Sequence, residues 1–341
     1  MGKLPVLGKL IMAAGLAAML AGCGGIKMDD GRHRIPLKPQ TVSALASMGT
    51  TPGDAMMIRI IKDENALEVW KRTTSGQFRM FRSYEICAWS GELGPKFKEG
   101  DRQAPEGFYT VTPGLMNPRS NYFLAFNTGF PNKFDRVHGR TGSNLMVHGD
   151  CSSSGCYSMT DDAIGEIYAL ARESFEGGNP SFQLQIYPFR MTAQKLARHK
   201  DSEHFAFWTN LKEGYDRFEL AKAPASWDVC EKRYVFDVPG GTPLDAAGAC
   251  PPGVRTVTAA LSEKQAAEKA ALDKEIAALD AKKAKEAAAL QREKEAEAAA
   301  MARGEAIGSF IGGLFNGGAS APQQSQPAVA APQPRPRIDR S

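Results

Sequence analysis

From Met56 onward the chain alternates short apolar runs of strand length with turn residues. Residues 56–61 and 66–71 flank Asp63, Glu64 and Asn65, which reads as a hairpin, and Phe78, Met80, Tyr84 and Ile86 continue the strand pattern. Further strands are expected over 109–111, 122–126, 145–147 and 182–187, each bounded by Gly, Pro or Asn. The period changes at Thr160, which can cap a helix: Asp161 and Asp162 suit its positive end, and Ile164, Ile167, Tyr168 and Ala171 share one face. A second helix is expected over 206–220. The pattern predicts a mainly β domain with a few helices.

The flanks differ from this block. Lys3 and Lys9 precede an uncharged apolar run from Leu10 to Leu20 that ends in Leu20, Ala21, Gly22 and Cys23. That is the layout of an export signal over 1–22, too short for the ~20 residues of a membrane span. The ending resembles the lipobox of bacterial lipoproteins, which implies cleavage before Cys23 and its acylation, with Gly24 pointing to the outer membrane. Residues 23–53, with Pro36, Pro39 and Pro52 and no periodicity, read as a lipidated tether ahead of a domain over 54–225. Cys230 and Cys250 bracket a Pro- and Gly-rich loop, so 226–260 reads as a disulfide-closed extension.

Strong helix formers dominate 261–303, with Ser262 and Gln265 in capping-box spacing and Lys264/Glu268 and Lys282/Glu286 one turn apart. One long C-terminal helix is expected there. Leu272, Ile276 and Leu279 start a coiled-coil stripe that Lys283 and Glu286 interrupt, so a solvated spacer is the preferred reading. In 304–317, Gly304, Gly308 and Gly312 recur beside Ile307, Phe310 and Leu314, a face that suits self-association or docking on a membrane surface, with a short apolar run of no specific role as the plain alternative. The Ala-, Pro- and Gln-rich tail 318–341 is expected to be disordered.

A net charge of +4 over 341 residues, with no Lys/Arg block interleaved with aromatics, argues against a nucleic-acid partner. Export would place the thiols in an oxidising compartment. With Cys23 acylated, Cys87, Cys151, Cys156, Cys230 and Cys250 remain, an odd number, so one cannot pair within the chain. Pairing Cys87 with Cys151 and Cys230 with Cys250 leaves Cys156 free; a Cys151–Cys156 bridge is the alternative that would silence it.

The densest chemistry lies in 145–161, where a strand delivers His148, a Gly/Ser loop follows, and Cys156 stands shortly before the helix capped by Thr160. A thiol attacks as the thiolate, and both an imidazole and a helix N-terminus favour that form. Cys156 is therefore the candidate nucleophile, held ionised, and His148 its base. Gly155 permits a tight turn, so that amides around Cys156 and Tyr157 can converge on an oxyanion. Zinc on His138, His148, Cys151 and Cys156 is a rival reading, but the spacing contains no paired Cys-x-x-Cys site, and neither a metal nor a cofactor is expected.

These motifs resemble the YkuD-type L,D-transpeptidases, and within them the YafK-like branch. The likeness rests on His148-Gly149-x-Cys151, on Ser153-x-Gly155-Cys156-Tyr157-x-Met159-Thr160, on the stretch from Gly100 to Tyr109, and on 135–143 and 188–192, and it spans roughly 54–225. It implies a YkuD-like β-sandwich catalytic domain with a few helices, Cys156 as nucleophile, His148 as base and the Gly149 carbonyl as orienter of the imidazole. Arg140 and Arg190 become candidates for substrate carboxylates, and His138, Ser154, Gly155 and Tyr157 for the substrate's surroundings; His138 could serve as a second base, but a structural, hydrogen-bonding histidine is the preferred reading. The sequence departs from the broad family in three ways: Ser154 replaces a histidine, the His148-to-Cys156 spacing is shorter, and an arginine after the cysteine is missing.

The implied activity is attack on the third residue of a peptidoglycan stem peptide through a cysteine thioester. An amine acceptor makes the enzyme a transpeptidase; water makes it an amidase that releases a wall-linked lipoprotein or cleaves stem peptides. A non-catalytic peptidoglycan-binding lipoprotein is the reading from another class. The expected place is the periplasm, anchored to the outer membrane through Cys23.

Overall fold

In the computed structural model, which describes residues 30–238, 243–254 and 259–315, the central strand β1 (Met56–Ile61) is buried at every position. Its apolar run suits a strand covered on both faces. It pairs antiparallel with β2 (Ala66–Arg72), and β2 in turn with β3 (Phe78–Glu85). Two further short or edge strands follow, β4 (Ala88–Trp89) and β5 (Gly107–Val111), then β6 (Met116–Asn117), β7 (Ala125–Asn127), β8 (Met146–His148), β9 (Tyr157–Ser158) and β10 (Phe182–Tyr187). One five-stranded sheet has the order β3-β2-β1-β10-β5, with β1 and β10 parallel; the other has the order β4-β9-β8-β7-β6, with β8 and β9 parallel. A hairpin of β11 (Trp227–Cys230) and β12 (Arg233–Phe236) completes the strands among the described residues.

The helices are α1 (Pro39–Ser47), α2 (Lys133–Val137), α3 (Asp161–Glu176), α4 (Ala193–Arg198), α5 (Phe205–Ala221) and α6 (Ala259–Phe315). Ile58, Ile60, Tyr109, Leu184 and Ile186 of the first sheet share a core with Phe126, Val147 and Tyr157 of the second and with Ile164, Ile167 and Leu170 of α3. Ile61, Phe108 and Tyr187 form another core with Trp208, Leu211 and Tyr215 of α5. The architecture is therefore a mixed α/β domain with a β-sheet core and a long C-terminal helix, which corrects the expectation of a mainly β fold. Strands apolar on both faces need a second cover, and α5 supplies it.

Three local expectations also change. The segment read as a tether contains α1, whose Thr41 and Leu45 are buried and whose Thr41 hydroxyl bonds Glu166. The strand expected over 122–126 shrinks to β7 because Phe123 has φ +60, outside extended geometry. Helix α6 begins at Ala259, so Ser262 lies inside it rather than capping it, and it continues past Gly304 to Phe315.

The chain divides into two units, 1–279 and 280–341. In the first, Leu261 is buried and Glu268 bonds Lys212 at 2.8 Å. In the second, the helical residues 280–314 are exposed, and Lys282 stands 3.8 Å from Glu286. No helix among the described residues is long and apolar enough to cross a membrane. Cys23, the 1–22 segment and the 318–341 tail lie outside the described residues.

Candidate active site

Parallel pairing of β8 with β9 sets Val147 opposite Tyr157 and His148 opposite Ser158. Val147 and Tyr157 point into the core, so by alternation His148 and the residue before β9, Cys156, share the other face. Cys156 lies beside Met146, whose amide donates to Sγ at 3.4 Å, while the thiol donates to the Asn144 carbonyl at 3.7 Å. A rise of about 3.3 Å per residue and a strand spacing of about 4.8 Å put the Cα atoms of His148 and Cys156 roughly 8 Å apart on a diagonal. Among the described residues no hydrogen bond joins imidazole to thiol; they are diagonal neighbours with the sulfur held by backbone.

His148 is 3% exposed, and its Nδ1 donates to the Gly149 carbonyl at 2.6 Å. A carbonyl only accepts, so Nδ1 carries the proton and Nε2 keeps its lone pair. Burial lowers the pKa of His148, with the Gly149 carbonyl and Asp150 opposing, so the ring is neutral at neutral pH. Gly149 is fixed by crowding: a Cβ there would stand 2.4 Å from Asp161 Oδ1 and 2.9 Å from Phe123 Cβ.

Burial also pushes the Cys156 thiol up, against the Met146 amide and Lys96, which pull it down. That direction runs against the expectation of a resting thiolate. β9 separates Cys156 from α3, the Thr160 hydroxyl caps α3 at Ala163, and Asp161 accepts from the Asp150 amide at 3.0 Å, so the helix terminus serves the turn after His148 rather than the sulfur. The resting pair is a neutral thiol beside a neutral imidazole.

The loop 94–103 adds Lys96, which the sequence did not single out, to Asp101 and Gln103 of the Gly100–Tyr109 stretch. Buried Lys96 donates to the Lys98 carbonyl at 2.9 Å and to Asp101. Asp101 also accepts from the amides of Phe97 and Lys98 at 2.9 Å and Gln103 at 3.0 Å. Burial opposes its charge, but Lys96 and these amides outweigh burial and hold it at about 2. Beneath the loop, Lys62 and Glu106 form a fully buried pair at 2.9 Å. Lys62 also donates to the carbonyls of Glu92, Gly94 and Ala104, and Glu106 accepts from the Gly94 amide and Trp208 Nε1, which ties both ends of the loop to the domain. The lone lysine closing an apolar strand was the available signal for Lys62; its partner lies too far along the chain to be read.

The other candidates fall as follows. Tyr157 is buried and donates to the Pro105 carbonyl at 2.7 Å, Gly155 has φ +121 and is buried, and Ser154 is exposed. Arg140 is buried on Asp135 at 2.9 Å among Phe97, Phe134 and Phe207. Arg190 bonds Glu64 at 2.9 Å and Glu68 at 2.7 Å. His138 follows α2 and its Nδ1 bonds the Phe134 carbonyl at 2.9 Å. Each guanidinium has a carboxylate partner, although the buried Arg140 Nε has none, and among the described residues no hydrogen bond or ion pair joins either arginine or His138 to Cys156 or His148. Disulfides join Cys87 to Cys151 and Cys230 to Cys250. The first withdraws Cys151 from any zinc set and from a bridge to Cys156, which is the free cysteine among the described residues.

No family model matches the chain. By sequence it is similar to "Putative L,D-transpeptidase YafK" of Escherichia coli (strain K12), with 45% identity over 187 residues, 55% of this chain and 76% of that protein. The protein of the same name from Escherichia coli O157:H7 matches to the same extent. Among solved structures, a point mutant of the helical cell shape determining protein Pgp2 from Campylobacter jejuni is 19% identical, with 57% of this chain and 65% of that chain covered and a TM-score of 0.33. Bd1075 from Bdellovibrio bacteriovorus is 19% identical, with 50% and 63% covered and a TM-score of 0.29.

Proposed function

Because this chain belongs to the YafK-like L,D-transpeptidase family, we propose that it is a cell-envelope enzyme whose Cys156 acylates on a peptidoglycan stem peptide with His148 as base. Nε2 of neutral His148 takes the thiol proton as sulfur attacks the carbonyl carbon of the third stem residue. The bond to the next residue breaks, its nitrogen leaves with the proton from the imidazolium, and a thioester remains on Cys156. An acceptor amine, deprotonated by His148, then attacks the thioester and releases the sulfur; water in its place gives hydrolysis. The Gly149 carbonyl keeps Nδ1 protonated and the ring oriented through both steps.

The observation that carries this reading is the β8–β9 register, which places Cys156 and His148 as diagonal neighbours on one face. The catalytic domain comprises 54–225 together with α1 and the β11–β12 hairpin, which share its cores, with acylated Cys23 anchoring it on the periplasmic side of the outer membrane. Purified muropeptides incubated with wild type and Cys156→Ala, with products identified by mass, test it. Cross-linked or exchanged stems mark transpeptidation, trimmed stems or released lipoprotein mark hydrolysis, and products unchanged by Cys156→Ala rule the reading out.

A further inference from the structure

Residues 122 and 123 grip the end of β8 from two sides. The Tyr122 ring lies on the His148 imidazole, with centroids 4.8 Å apart and planes at 39°. The Tyr122 carbonyl accepts the Gly149 amide at 3.0 Å, so one residue touches both the imidazole and the peptide whose carbonyl orients it. Phe123 reaches this position with φ +60, a conformation rare for a bulky side chain that persists where the surroundings demand it. Its Cβ stands 2.9 Å from where a Gly149 Cβ would fall, and its ring packs near Gly165 of α3 and under the Arg32 guanidinium at 5.3 Å. Tyr122 itself is 47% exposed while His148 is 3% exposed, so the tyrosine ring is a cover between imidazole and water.

We propose that Tyr122 and Phe123 form a clip that positions His148, with Tyr122 as a positioning residue that shields the imidazole and fixes its tilt. The inference rests on His148 as the base. The ionisable groups around the ring are Asp150 in its own turn, Asp161 at the start of α3 bonded to the Asp150 amide, Tyr122 from the loop before β7, and Cys156 from the residue before β9. Uncovering the ring lets water solvate the imidazolium, which raises its pKa and leaves less free base at mildly acidic pH.

The test is NMR titration of the His148 ring in the full chain for wild type, Tyr122→Phe and Tyr122→Ala, with the resonance assigned by His148→Gln. Tyr122→Phe keeps the wild-type titration; Tyr122→Ala moves it upward by about half a pH unit or more, toward the ordinary ~6.5. The acid limb of kcat/KM moves with it, and Tyr122→Ala loses about two- to fourfold in kcat/KM at pH 6 with KM little changed. An unchanged titration in Tyr122→Ala, or an equal shift in Tyr122→Phe, overturns the proposal. If Cys156 is not the nucleophile, the kinetic arm alone fails and the titration still judges the clip.

Discussion

Replacing Asp101 with Asn keeps the shape of the loop beside Cys156 but removes the charge that organises it. The carboxylate gathers Lys96 and the amides of Phe97, Lys98 and Gln103, and its pKa is held at about 2 against an ordinary 3.8. A difference of roughly 2 pH units at about 1.4 kcal/mol each gives about 2 to 3 kcal/mol. Its side chain is 14% exposed, so solvent screens little of this. The folded-state value is depressed, so the stabilisation is fully present above the unfolded value and is lost as pH falls from about 4 to about 2. Urea unfolding of both proteins at pH 7, 5 and 3 is the assay. Asp101→Asn should be about 2 kcal/mol less stable at pH 7 and 5, with roughly half that gap at pH 3. A gap below about 0.5 kcal/mol at pH 7, or one of the same size at every pH, refutes the reasoning.

Glu106→Gln should strand the buried Lys62 ammonium and cost about 3 to 5 kcal/mol, whereas a Lys62→Met/Glu106→Leu double variant should cost much less than its single variants summed; denaturant melts report both. Because burial depresses His148, the base stays neutral below the usual histidine range, so kcat/KM on muropeptides should fall only as pH drops below ~6.5; an acid limb above pH 7 contradicts this. Because burial raises Cys156, its alkylation by iodoacetamide in the free enzyme should keep accelerating above pH ~8.5, and a plateau reached below pH 8 contradicts the neutral pair.

Much of the fold was legible where a local pattern is also the global one. Residues 56–61, apolar but for Arg59, and 182–187, where Gln183 and Gln185 alternate with apolar residues, became β1 and β10, and α3 starts after Thr160 because a cap, acidic first-turn residues and a helical apolar face coincide. Pro39 read as a tether residue yet opens α1, since proline suits a first helical turn and only the burial of Leu45 distinguishes the two. The mixed architecture was hidden because an apolar run says that both strand faces are covered, not by what. At the site, the pattern of His148, Gly155 and Cys156 marked the residues that β8 and β9 bring to one face, while the burial that raises the Cys156 thiol is a tertiary property no spacing reveals. Tyr122 and Phe123 looked like strand until φ at Phe123 showed otherwise.

Intact-mass kinetics of acylation test the pairing of Cys156 with His148 most directly. With purified muropeptide, wild type should gain the mass of a stem-peptide acyl group on Cys156, Cys156→Ala should gain none, and His148→Ala should acylate on the order of 100-fold more slowly. Acylation of His148→Ala at the wild-type rate, or an adduct that persists in Cys156→Ala, contradicts it.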